Sequence, residues 1–235
     1  MVIGWACRSA RSRWPELVTA NLIAGLPFVW RPSRTGNVAE QKTILLLHGT
    51  GADENDLLGL GAALDANANL ISPRAQVRAA MPPVGDGMIR WFMRNQDGTF
   101  DEDGIVRVTQ QLADFLALAA AELGFDPSNV WVAGFSNGAN AAGALLLTHP
   151  DAIRGVMAFG TTKSFVVTPG KPDLTGKRIW ICNGALDGYS PAERTRAMVD
   201  EFTELGAEVS LLMHGGGHTI SHEHVREVAA ELLEA

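Results

Sequence analysis

The sequence predicts a doubly wound α/β domain, and three observations carry that prediction. From Phe28 onward, short apolar and β-branched runs alternate with longer segments of helical period, the pattern of parallel strands joined by helical crossovers. Several of the runs are apolar without interruption, as strands covered on both faces are. Among the 235 residues, 46% are hydrophobic and 19% charged, ordinary globular proportions that allow one large core and argue against disorder or a collagen-like repeat. A single domain over residues 28–235 is expected, preceded by an extension over residues 1–27.

The extension is read first. Met1 to Arg13 is arginine-rich and is followed by a weakly apolar stretch from Leu17 to Phe28. Asn21 and Gly25 dilute that stretch and no small-x-small cleavage site follows, so a loose extension is expected rather than a secretion leader. The run Thr43-Ile44-Leu45-Leu46-Leu47 predicts a central strand, ended by a turn at Gly49 and Gly51. Asp53 is placed to cap a helix running to about Asp65, with Asp56 favouring its positive end. Met81 to Gly104 mixes Gly, Pro and Asp with Trp91, Phe92 and Phe100, as a long ordered loop over a pocket would.

Ile105, Val108, Leu112, Phe115, Leu116, Ala119 and Leu123 follow helical spacing, and Gly124 stands where a C-terminal cap belongs. Val130 to Gly134 then predicts a buried strand, and Asn137 to Leu147 turns helical almost at once. Further strands are expected at Gly155 to Phe159, Arg178 to Asn183 and Val209 to Met213, with helices at Pro191 to Leu205 and His222 to Leu233.

Charge and composition exclude several functions. The net charge is −7 with no basic block, which lacks the footprint of a nucleic-acid or anionic-membrane binder. No window holds the run of about 18 apolar residues that a membrane helix needs. Two cysteines, Cys7 and Cys182, are too few for a disulfide framework, so free thiols and a cytoplasmic location are expected.

The chemistry concentrates at three places. At the strand-turn-helix junction stands Gly134-Phe135-Ser136-Asn137-Gly138, the Gly-x-Ser-x-Gly arrangement in which a tight turn holds a serine exposed above a sheet. A hydroxyl needs a base within reach and a carboxylate to orient that base. Asp187 follows the strand ending near Asn183, and His218 lies in the Gly-rich loop after the strand ending near Met213. The chain order Ser136, Asp187, His218 is the one α/β-hydrolases use. For the oxyanion, the N–H groups of Asn137 and Thr50 are the candidates, and Trp91, Phe92 and Phe135 are candidates to line an acyl pocket. Few basic residues lie near these positions in the sequence, which points to a small or medium, mostly uncharged ester.

His214, His222 and His224 near His218 invite a rival metal site. The run Gly215 to Gly217 argues against one helix presenting His214 and His218 together, and no Cys or carboxylate cluster completes a ligand set, so no metal is expected.

The stretches LLLHGTGADENDLL, RWF with a following FDEDGI, VAGFSNGAN, NGALDGYSP and GGGHTIS resemble, in order, the phospholipase/carboxylesterase family of α/β-hydrolases, over about Phe28 to Leu233. The resemblance implies the α/β-hydrolase fold, a mostly parallel sheet with helices on both faces. It also implies a cofactor-free serine hydrolase acting on carboxylic esters, with thioesters a further possibility, and often a homodimer. Gly188-Tyr189-Ser190-Pro191 departs from the family's usual Asp-Pro-x-x-Pro continuation after the acidic residue, which bears on substrate detail.

Overall fold

The computed structural model describes residues 22–81, 85–95, 97 and 99–235. Its elements, in chain order, are β1 (Leu22–Ile23), β2 (Leu26–Arg31), β3 (Thr43–Leu47), α1 (Leu58–Leu64), β4 (Asn69–Pro73), β5 (Val77–Arg78), β6 (Ile89–Arg90) and α2 (Glu102–Leu123). They continue as β7 (Val130–Phe135), α3 (Asn137–Thr148), β8 (Gly155–Phe159), β9 (Arg178–Gly184), α4 (Ala192–Glu204), β10 (Glu208–His214) and α5 (His222–Glu234). Eight strands form one sheet in the order β1-β2-β4-β3-β7-β8-β9-β10. From β4 to β10 every pairing is parallel, and β1 and β2 add antiparallel pairings at the other edge.

The uninterrupted apolar runs are explained by alternation between two cores. Leu45, Leu47, Val130, Val132, Val156, Ala158, Ile179 and Ile181 face the side covered by α2, α3 and α4. Ile44, Leu46, Trp131, Ala133, Met157, Phe159, Trp180 and Cys182 face α1 and α5. Each central strand is thus buried on both faces, as parallel strands with helical crossovers must be. Truncating a side chain such as Leu145 or Leu46, both fully buried, would cost about 2–5 kcal/mol.

Helix α2 shows how its ends are set. Asp101 caps it by accepting from the Gly104 N–H at 3.0 Å, and Gly124 closes it with φ +78°, a left-handed conformation natural to glycine.

Three expectations are corrected, and one strand is added. Among the described residues the sheet begins at Leu22, ahead of the expected start at Phe28: Ile23 and Leu26 are buried, and Gln111 of α2 donates to the Ala24 carbonyl. Residues 1–21 of the expected extension lie outside the described residues. The helix after Asp53 starts only at Leu58, because the Asp53 carboxylate accepts from the Asn55 N–H and closes a turn instead of capping a helix. Strand β4, on which the sequence reading is silent, carries the polar residues Asn69 and Ser72. Both are buried, Asn69 accepting from the Ser33 N–H and donating to Val38 and Thr43. The segment expected as loop from Met81 to Gly104 contains β6, paired with β5, and the first turn of α2.

Candidate active site

The register of the parallel strands places β3, β7, β9 and β10 with their C-terminal ends along one rim, where ligands bind in open α/β sheets. Ser136 follows β7 with φ +55° and ψ −119°, a backbone conformation that side chains rarely adopt. Neighbouring hydrogen bonds hold it there: the Ser136 N–H donates to Phe159, and its carbonyl accepts from Asn140. The flanking glycines are steric necessities. A Cβ on Gly134 would lie 2.6 Å from the Gly138 carbonyl oxygen, and one on Gly138 would lie 1.9 Å from that of Leu47.

His218 bridges Ser136 and Asp187. Its Nε2 lies 2.8 Å from Ser136 Oγ and its Nδ1 lies 2.7 Å from Asp187 Oδ2. An ionised carboxylate can only accept, so Nδ1 carries the proton and Nε2 faces the hydroxyl as the acceptor. Asp187 is 4% exposed. Its other oxygen, Oδ1, accepts from the N–H groups of Tyr189 and Ser190, leaving Oδ2 for the imidazole. The His218 ring sits 4.9 Å from both the Phe135 and Tyr189 rings, which confine it.

The two candidate oxyanion donors border the same cleft as Ser136 and His218. Among the described residues, neither the Thr50 nor the Asn137 N–H finds a protein acceptor. His48, just before this loop, is fully buried. Its Nε2 accepts from the Ala75 N–H, so Nδ1 is protonated and donates to the Gly49 carbonyl. Burial in turn lowers its pKa from the ordinary histidine value, so the neutral ring is favoured. Asp56, at the edge of the same cleft, is pushed upward by desolvation.

The cleft has a volume of about 690 Å³. Phe92 and Phe135 line it together with Met88, Phe100 and Tyr189, whereas Trp91 does not. Trp91 is 1% exposed and faces the core, where its indole N–H donates to the His48 carbonyl at 2.9 Å. An aromatic flanked by loop residues reads alike for pocket and core, and here the core takes it. Two basic residues border the cleft, Arg90 and Arg94, with Arg90 paired to Asp86. The Asp86 pKa is lowered, chiefly by the hydrogen bond it accepts from the Met88 N–H and then by the one from Arg90.

Of the rival histidines, His214 has both ring nitrogens engaged with backbone groups of Gly216 and Thr219. Its ring packs 5.2 Å from that of His224. Cys182 is buried and desolvation pushes its thiol far above the ordinary range, which removes it as a nucleophile. Cys7 lies outside the described residues.

Sequence reasoning missed a buried polar chain joining the serine turn to Asp187. Asn140, one helical turn after Ser136, accepts from Thr161 Oγ1 and from the Thr162 N–H. Asn183 accepts from the Thr161 N–H and donates to the Thr161 carbonyl and to Thr195 Oγ1. The Thr195 hydroxyl in turn donates to the Ser190 carbonyl at 3.3 Å, and Ser190 holds Asp187. Asn183 at the end of an otherwise apolar strand was the available signal, because a buried amide must find partners.

The sheet order, the crossovers and the strained serine turn together define the α/β-hydrolase fold. Residues 34–233 match the Phospholipase/Carboxylesterase family, and the chain belongs to that family. A Bacillus subtilis (strain 168) protein named as a hydrolase, MhqD, is 35% identical over 190 residues, covering 80% of this chain and 90% of its own. The Bacillus cereus carboxylesterase structure superposes with a TM-score of 0.81 at 28% identity, covering 89% of this chain and 94% of its own. A carboxylesterase from Mesorhizobium loti gives 0.81 at 27% identity, over 93% and 99% of the two chains. The protein is a carboxylic ester hydrolase. Among the described residues, no helix is long and apolar enough to cross a membrane.

Proposed function

We propose that the protein hydrolyses small-molecule carboxylic esters through an acyl-enzyme on Ser136. The observation that carries the reading is the continuous hydrogen-bond chain from Ser136 Oγ through His218 to a buried Asp187. Ser136 Oγ attacks the ester carbonyl carbon while His218 Nε2 takes its proton, and Asp187 stabilises the imidazolium. The Thr50 and Asn137 N–H groups receive the oxyanion. Collapse of the tetrahedral intermediate breaks the bond to the alcohol, which leaves with the proton from His218. Water then attacks the acyl-enzyme by the same route in reverse, releasing the acid and restoring Ser136.

Within a lining that is otherwise largely polar and glycine-rich, Met88, Phe92, Phe100, Phe135 and Tyr189 supply an apolar part suited to an acyl group of short or medium length, and a thioester presents the same carbonyl to Ser136. The decisive experiment compares p-nitrophenyl esters of increasing acyl length with wild type and Ser136→Ala, alongside labelling by a fluorophosphonate. Loss of the nucleophile should leave only about 10³- to 10⁴-fold acceleration over water and abolish labelling. Undiminished turnover by Ser136→Ala would refute the acyl-enzyme, and wild type that neither turns over nor labels would make the fold a binding scaffold.

A further inference from the structure

Strand β10 ends in His214-Gly215-Gly216-Gly217-His218. Three successive glycines separate the sheet from the imidazole that must reach Ser136, and glycine loses more conformational freedom on ordering than any other residue. Yet His218 stands within hydrogen-bond distance on both ring nitrogens. Contacts from outside the glycine run must therefore hold it.

One set is backbone. The Ala185 N–H donates to the His214 carbonyl at 2.7 Å and the Leu186 N–H to that of Gly216 at 2.9 Å. The loop carrying Asp187 therefore runs directly against the loop carrying His218. A Cβ on Gly184 would lie 2.3 Å from the Gly217 carbonyl oxygen, so no side chain fits between them.

The other set comes from the His214 ring. Its Nδ1 lies 3.0 Å from the Gly216 nitrogen, and accepting from that N–H fixes Nδ1 as the unprotonated nitrogen. Nε2 then carries the hydrogen and donates to the Thr219 carbonyl at 3.2 Å. One imidazole thus ties the chain two residues before His218 to the chain one residue after it. The ring is itself backed by His224 of α5, a helix anchored in the core through Val225 and Val228.

We infer that His214 is a positioning residue for ester hydrolysis: its imidazole clamps the glycine run on either side of His218 and thereby sets the approach of His218 to Ser136. This rests on the catalytic reading of Ser136, Asp187 and His218 above. His214 does not border the cleft, so the clamp acts on the proton transfer and not on substrate binding. Misplacement of a catalytic group by about 1 Å can cost on the order of 100-fold in rate.

The test compares His214→Ala, His214→Phe and His214→Asn for kcat, KM and melting temperature on one p-nitrophenyl ester. Asn offers a carbonyl oxygen near the position of Nδ1 and can still accept from the Gly216 N–H, whereas Phe keeps the ring against His224 and loses both hydrogen bonds. The expected result is a fall in kcat of about 10- to 100-fold for Ala and Phe, with KM within about threefold and part of kcat restored in Asn. Full kcat in Ala or Phe overturns the inference, as does an Asn variant no better than Phe. Should Ala fail to fold, Phe and Asn decide alone. Ser136→Ala separates the two readings: its inactivity beside a fully active His214→Phe would remove the clamp and leave the triad standing.

Discussion

The serine turn and the aromatic wall of the cleft face the same substrate space, but their order has different origins. At the turn, backbone meets backbone: Gly134 is packed against Gly138 and Ala139, and Gly138 against Leu47 and His48, so closely that the conformation of Ser136 between them follows from local sterics. The wall from Met88 to Phe100 is instead held by distant partners. The Asn137 side chain accepts from the Trp91 N–H at 2.7 Å and donates to the Phe92 carbonyl at 3.2 Å, while β6 leans on β5. One region is built by what cannot fit, the other by what is tied to it. A substitution at the turn should therefore break the molecule, and one at the tie should only loosen it.

The largest effect is expected from Gly138→Ala. Its Cβ would meet the Leu47 carbonyl oxygen at 1.9 Å and that of His48 at 2.5 Å, and both are backbone atoms of the sheet's own strand and the loop that follows it. No flexible side chain can yield, so the cost should reach or exceed the upper end of the about 1–3 kcal/mol typical of overpacking. Thermal melting and fluorophosphonate labelling should both collapse. A variant that melts and labels like wild type would show that the turn is not sterically dictated.

Asn137→Ala tests the tie. The backbone N–H offered to the oxyanion is retained, but the Trp91 N–H and Phe92 carbonyl lose their partner. An unsatisfied buried donor costs about 1–3 kcal/mol, and a loosened wall should change the preference for acyl length more than the rate on the shortest ester. Equal loss across all chain lengths would place the effect at the oxyanion instead.

The same contrast explains what the sequence disclosed. Gly134, Ser136 and Gly138 were legible because their constraint is local, and the uninterrupted strands were legible because a residue buried on either face must be apolar. Trp91 reads equally as pocket or core from the sequence, since nothing local distinguishes a ring whose N–H reaches the His48 carbonyl from one that faces a ligand. Strand β4 was invisible for a related reason: Asn69 is polar by type, and only partners from other parts of the chain, Ser33, Val38 and Thr43, make it acceptable inside. The tie through Asn137, the polar chain through Asn183 and the glycine clamp at His214 all depend on which segments meet, and spacing alone does not carry that information.

The smallest expected effect is a pH dependence that distinguishes the two sides of the cleft. His48, on the turn side, is held neutral by burial, with one ring nitrogen donating to Gly49 and the other accepting from Ala75. Its folded pKa lies below the ordinary value, so as pH falls the unfolded chain binds the proton first. Stability is therefore complete above about pH 6.5, declines as pH drops through that range, and levels off only below the folded pKa. The wall pair of Asp86 and Arg90 behaves differently. The Asp86 pKa is lowered, so its contribution persists through that window and is lost only in stronger acid. His149 and His224 are also lowered by desolvation and add to the wild-type slope, which makes substitution necessary to isolate His48. His48→Gln keeps an acceptor for the Ala75 N–H but cannot titrate. Its melting temperature should be lower than wild type at about pH 8, yet fall less between there and about pH 5.5. Parallel melting curves for the two proteins across that window would assign the acid sensitivity to the other histidines and remove His48 as the titrating support of the turn.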